Sequence, residues 1–277
     1  MRTPRTGTVV VGVNGTSAGL AAVRLGAREA RARDRELRIV HAFTWPEPQF
    51  PEDDDYGTAR AGATRMVDEA VATARRSTPG VRAGGEVVDG VATRVLLRAS
   101  RTADLLVLGD DGPVSGVSRA GLPADSVLVQ VVARSFCPAV VARGLRPPTG
   151  PLLAAIDGSP ASVETLRLTA AEAVRRDVPV EVAHVVEEPG AAAEADGRRL
   201  LTATVEAVPE LRGARRRLLT GDPARVLVRE SRRARMMLVG PRGRDDSAPL
   251  GPVARELLTR CACPTLFVHG NTGRLLT

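Results

Sequence analysis

Lysine is absent from this chain of 277 residues, so all 39 basic side chains are arginine. That absence excludes a phosphate loop built on lysine, a kinase-type strand lysine and any Schiff-base mechanism. Aromatic residues make up 2% of the sequence, so the 43% that is hydrophobic must build its cores from Val, Leu and Ala. No apolar run approaches the ~18–20 residues that a membrane-spanning helix requires. The opening residues, Met1-Arg-Thr-Pro, carry no apolar secretory segment, and the expectation is a soluble, cytoplasmic protein with no membrane partner. Cysteine is scarce as well: Cys137, Cys261 and Cys263 form no disulfide framework. Cys261-x-Cys263 is too tight for the usual zinc knuckle and has no second ligand pair nearby, so buried structural thiols and no metal site are expected.

Charge is present but not concentrated. The net charge is +7, with 20 Arg against 16 acids up to Arg146 and 19 against 16 beyond it. A nucleic-acid partner would call for basic charge gathered on one face or tail, so none is expected despite a pI near 10.8. The arginines fit solvated helix surfaces, and Arg215-Arg216-Arg217 fits a solvated run ahead of a strand. The acids at 52–55 lie in an acidic, proline-rich loop at 46–56, a mobile segment or a lid.

Short apolar runs alternate with helical spacings along the whole chain. Residues 8–13 form a strand ending in the turn-and-cap cluster Asn14-Gly15-Thr16-Ser17. Leu20, Val23, Ala27 and Ala30 then recur at helical spacing. Strands are expected at 37–42, 81–88, 105–108 and 139–142, with helices around 58–76, 92–101 and 126–134. This alternation argues for a parallel, doubly wound sheet with helices on both faces.

The pattern then repeats. Asn14 and His41 recur as Asp157 and His184, 143 positions on; Gly90, Arg94, Leu96, Gly109 and Gly112 recur 131 on as Gly221, Arg225, Leu227, Gly240 and Gly243. Cys137-Pro138 recurs 126 on as Cys263-Pro264. A deletion of twelve residues before the third strand and one of five in the glycine loop account for the drift. The chain is therefore an internal duplication: a first α/β domain over 1–146, a linker over 147–150 and a second domain over 151–277, each with a five-stranded, mainly parallel sheet. The two are expected to pack against each other as a pseudo-dimer.

The most informative stretch is the run at 236–243, MMLVGPRG. A strand, a Gly-x-x-Gly turn and a helix opened by Gly251-Pro252 make an anion-binding design, because glycine admits close approach and a helix N-terminus presents free N–H groups. Gly12-Val-Asn-Gly15 is no dinucleotide fingerprint, since its third glycine and downstream acid are missing. No pairing of nucleophile and histidine is suggested. His269 follows the last strand and signals nothing. His41 and His184 suit strand ends, with framing of a base the alternative.

The turn IDGS at 156–159, AHV at 183–185, VGPRG at 239–243 and the Cys-Pro pairs, in order and in duplicate, resemble the universal stress protein family. The resemblance implies a five-stranded α/β fold, pairing of the two domains through their last strands, 139–142 and 265–268, and, in many members, ATP held at the carboxyl ends of the strands. It implies Asp157 at the ribose or a Mg²⁺ ion, Val185 framing adenine, and Val239, Gly240, Arg242, Gly243 and Gly251 around the phosphates. The two copies depart from the family differently. The first has Asn14 for the acid, Asp110 and Asp111 inside its loop, twelve residues instead of nine after Gly112, and Asp125-Ser126 in place of Gly-Ser. Carboxylates beside a polyphosphate repel it, about 4 kcal/mol per pair of charges at ~4 Å and an effective dielectric of 20. The second keeps Asp157 and adds Arg242 and Arg244, although its gap is seven residues, Pro252 takes the serine position, and Asp245 and Asp246 dilute the charge.

The expectation is a non-enzymatic stress-response protein that binds an adenine nucleotide, ATP above all, mainly in its second domain, with a homodimer or protein partner open. The alternative is an interaction scaffold of the same fold without a nucleotide. A slow ATPase would need a positioned base, which nothing supplies.

Overall fold

Residues 7–45, 55–110, 122–144, 149–243 and 248–269 are described by the structure, a computed structural model. Gly112, Asp111, the acids at 52–54 and the linker residues 147 and 148 lie outside these residues, as do Arg244, Asp245 and Asp246.

The first half runs β1 (Thr8–Gly12), α1 (Ser17–Ala32), β2 (Glu36–Phe43), α2 (Asp55–Ser77), β3 (Ala83–Asp89), α3 (Ala92–Ser100), β4 (Ala103–Gly109), α4 (Val127–Arg134) and β5 (Ala139–Ala142). The second repeats it: β6 (Leu152–Ala155), α5 (Pro160–Arg176), β7 (Val180–Val186), α6 (Ala191–Glu206), β8 (Arg215–Thr220), α7 (Pro223–Glu230), β9 (Met236–Val239), α8 (Pro252–Arg260) and β10 (Thr265–Phe267). Local chemistry sets the boundaries. The Thr16 hydroxyl caps α1 by accepting from the Gly19 N–H at 3.1 Å. Pro160 and Pro252 sit in the first turns of α5 and α8, where a missing N–H is harmless.

All ten strands form one sheet, in the order β3-β2-β1-β4-β5-β10-β9-β6-β7-β8. Every contact within a half is parallel, and the single antiparallel join is β5 to β10, with Val141 opposite Thr265 and Val140 opposite Leu266. The expected five-stranded sheets are thus two halves of one surface, fused where the last strands meet. Val9, Val10 and Val11 are all fully buried, as a strand covered on both faces requires. Alternate strand residues point to opposite faces. One face packs against α1, α2, α5 and α6, and the other against α3, α4, α7 and α8; each apolar layer runs without a break through both halves.

Three expectations need correction. The arginines are not all solvated. Glu29 of α1 and Arg33, which caps that helix's end, meet Glu172 and Arg176 of α5, their counterparts at the 143-residue offset, in a buried quartet. Burial alone would raise the Glu29 carboxyl, but the guanidinium groups of Arg33 and Arg176 outweigh it and hold it at about 2. The run Arg215-Arg216-Arg217 is the first half of β8 itself rather than a lead-in. Being at the sheet edge, it carries charge where charge discourages pairing with another chain, and Arg217 is held by Glu181 at 3.0 Å and Glu230 at 2.8 Å. His269 is a tie between halves: its Nε2 lies 2.8 Å from the Val132 carbonyl of α4.

The three thiols are buried, as expected. Cys261 and Cys263 stand 3.8 Å apart at sulfur, and in the first half Ser135 Oγ stands 3.8 Å from Cys137 Sγ in the corresponding place. Among the described residues no helix is long and apolar enough to cross a membrane.

Candidate functional site

In each half the strand order reverses between the first strand and the fourth, and in an open α/β sheet that is where the carboxyl ends leave a crevice. The second half has such a crevice between the ends of β6, β7 and β9. It is a cavity of about 800 Å³, and all seven expected site residues line it: Asp157, Val185, Val239, Gly240, Arg242, Gly243 and Gly251.

The sequence folds this way for local reasons. Asp157 follows β6, and its Oδ1 accepts from the Ser159 N–H at 2.9 Å and the Ser162 hydroxyl at 3.2 Å. The Ser162 oxygen in turn accepts from the Gly158 N–H at 3.1 Å. These bonds fix one carboxylate oxygen and turn the other toward the glycine loop. A Cβ placed on Gly243 would lie 3.2 Å from Asp157 Oδ2, so the loop and the acid meet across the cavity floor. The loop closes with the Gly251 N–H donating to the Pro241 carbonyl at 2.9 Å. Gly251 caps α8 without a side chain and Pro252 brings no N–H, so the N–H groups of Val253 and Ala254 in the first turn have no side-chain cap. Arg242 is exposed beside it. His184, two residues before the end of β7, has its Nδ1 2.9 Å from the Ile156 carbonyl, and its ring also lines the cavity.

The first half has the same construction and a different outcome. Its crevice measures about 160 Å³ and is lined by Gly12, Asn14, His41, Leu96, Leu108 and Leu128 among others. Leu108 and Leu128 stand where the second half has Val239 and Ala254. Leu96 leans over Gly12, where a Cβ would come within 2.9 Å of it; Ala155 holds that position in the second half. The Ser126 hydroxyl takes the Val129 N–H at 3.2 Å, so α4 caps itself. Side chains thus fill much of this crevice. Asp110 is paired with Arg143, and Asp111 lies outside the described residues.

The sequence profile of the universal stress protein family matches residues 6–143 and again 149–269. The chain belongs to the universal stress protein family. A universal stress protein of Mycobacterium tuberculosis, Rv2005c, is 30% identical over 292 residues, spanning 94% of this chain and 96% of the relative. Another from that organism, Rv2623, is 29% identical over 296 residues with the same coverage. Among solved structures, a universal stress protein from Archaeoglobus fulgidus superposes with a TM-score of 0.73 over 95% of this chain and 98% of that one, at 16% identity, which speaks for the fold alone.

Within this universal stress protein, Ser162, Thr165, Gly197 and Asp196 also line the open cavity and were not anticipated. Ser162 had a signal in its spacing from Asp157. Thr165 and Gly197 had one only in the repeat, where Ala22 and Met66 stand at the matching positions.

Proposed function

We propose that the second domain binds an adenine nucleotide as a regulatory ligand, ATP being the form the family resemblance suggests, and that the first domain serves as its structural partner. The contrast between a cavity of about 800 Å³ and one of about 160 Å³ carries this reading. Clefts of ~300–1,000 Å³ are the usual size for small-molecule sites. The residues suit a phosphorylated ligand. Arg242, the glycine backbone and the uncapped start of α8 offer positive charge and free N–H groups, while Asp157 offers an acceptor for a ribose hydroxyl.

Three carboxylates line the cavity, Asp157, Glu187 and Asp196; Asp157 is the one beside the glycine loop, and one of its oxygens is already engaged by Ser159 and Ser162. Among the described residues there is no group of three or more metal-ligating side chains. Mg²⁺ commonly binds through one or two carboxylates and substrate phosphates, so the site fits an ion brought with the nucleotide rather than a resident one. Such an ion would neutralise phosphate charge; the protein's own groups bind, orient and enclose the ligand.

Thermal unfolding with and without ATP, ADP and AMP, each with Mg²⁺, tests the proposal. A ligand at ~100 times its Kd adds roughly 2.7 kcal/mol to the native state. Stabilisation that disappears in Asp157→Ala and Arg242→Ala supports it; no stabilisation by any adenine nucleotide leaves the scaffold reading.

A further inference from the structure

The open cavity is larger than its counterpart chiefly on the side of α5 and α6, where Ser162, Thr165, Ala193, Gly197 and Leu200 line it. Among the described residues, no side chain of α2 lines the first half's crevice. Its α2 has 23 residues against 16 in α6, and Met66 of α2 packs beside Gly15 where the second half has only the hydrogen of Gly197. Gly197 lets α6 come close to the sheet: a Cβ there would lie 3.2 Å from the His184 ring and 2.6 Å from Leu218.

Inside this chamber one polar group is unsatisfied. Thr165 is fully buried, and its hydroxyl has no hydrogen-bond partner. Its counterpart is Ala22, equally buried and with nothing to satisfy. A buried hydroxyl without a partner is uncommon, and keeping one where the other copy keeps a methyl calls for a cause. The position indicates which part of a ligand it meets. Thr165 lies six residues beyond Ser159, ~9 Å along the axis of α5 at 1.5 Å per residue, away from the glycine loop and Arg242.

We infer that Thr165 is a specificity-determining residue, whose hydroxyl hydrogen-bonds the heteroaromatic base of the ligand once the base enters the chamber between α5 and α6. This rests on the reading of the cavity as a nucleotide site. A site that hydrogen-bonds a polar edge discriminates strongly against analogues without it, whereas an apolar pocket discriminates weakly.

The test is titration calorimetry of AMP and of ribose 5-phosphate, which has no base, against the full-length protein, Thr165→Val and Thr165→Ser. The expected result is a loss of about tenfold in AMP affinity in Thr165→Val, near-complete retention in Thr165→Ser, and no change in whatever affinity ribose 5-phosphate has. Melting without ligand should be unchanged or raised in Thr165→Val, because an unsatisfied hydroxyl is removed. Equal AMP affinity in wild type and Thr165→Val overturns the inference while the nucleotide site stands. A lower melting temperature of ligand-free Thr165→Val overturns it too, by showing that the hydroxyl serves the fold. Failure of the wild type to bind AMP or ATP overturns both the site and the inference.

Discussion

Arg33 and Arg176 each reach across the interface between halves to the other's glutamate: Arg33 Nη2 lies 2.6 Å from Glu172 Oε1, and Arg176 Nη2 lies 2.6 Å from Glu29 Oε1. The two contacts are related by the 143-residue offset, so the chain meets itself there as one subunit meets its twin. Glu29 is 5% and Glu172 1% exposed, which places the quartet out of reach of solvent screening.

Removing one partner from such a network strands a buried charge, which costs about 3–5 kcal/mol. Arg33→Met and Arg176→Met are expected to destabilise by that order in denaturant titration. The double change with Glu29→Gln and Glu172→Gln should recover much of the loss. A quadruple loss equal to the sum of the four single losses would show the quartet to be uncoupled.

Acid should act in two stages. Burial lowers the His269 titration, with Arg242 nearby adding to the effect, so its folded form stays neutral where the unfolded ring takes up a proton. Stability from this source is complete above the ordinary value of 6.5 and falls as pH drops below it. Glu29 titrates near 2 when folded against 4.5 ordinarily, so its contribution is complete above 4.5 and is lost as pH falls toward 2. His269→Gln should flatten the upper stage of a melting-temperature profile, and Glu29→Gln the lower.

The two loop glycines should respond in different ways. A Cβ at Gly109 would lie 2.7 Å from the Ala18 backbone, so Gly109→Ala is expected to destabilise the fold by about 1–3 kcal/mol without bearing on a ligand. At Gly240 the nearest atoms would be Ala161 Cβ and Arg242 O at 3.2 Å, so Gly240→Ala should fold while Gly240→Val narrows the cavity and abolishes nucleotide binding. Melting curves with and without ATP separate the two effects. Asn14→Ala, in the filled crevice, is the appropriate control and should leave binding unchanged.

Cys261→Ser copies the arrangement that the first half already has at Ser135. It should change stability by about 1 kcal/mol or less in thermal unfolding. A larger loss would give the thiol a role beyond hydrogen bonding. The hydrogen bond between the two sulfurs lowers the Cys261 thiol and raises Cys263, which burial raises further, as it raises the counterpart Cys137 to about 12.

The strands, helices and duplication were legible because apolar periodicity and paired motifs are properties of the chain itself. The pairing of 139–142 with 265–268 was legible through the resemblance. The quartet was not, although Glu29, Arg33, Glu172 and Arg176 share the offset that revealed Asn14 and Asp157. Charged residues four apart on a helix look alike whether the face meets water or another helix. The filling of the first crevice was not legible for a related reason: the acids at 110 and 111 are visible in a string of letters, whereas the lean of Leu96 over Gly12 is a matter of packing. Arg215–217 was placed outside its strand because an edge strand tolerates the polarity of a loop.

A homodimer of identical domains has to accept any substitution twice. Joining the halves through β5 and β10 in one polypeptide lifts that constraint, so one crevice is filled and the other left open within a single sheet. The consequence is one of stoichiometry. A ligand of the open crevice binds once per chain, and its saturation curve is hyperbolic, with a Hill coefficient of about one unless chains associate. On the function proposed above, such a protein would report ligand concentration in graded fashion rather than as a threshold.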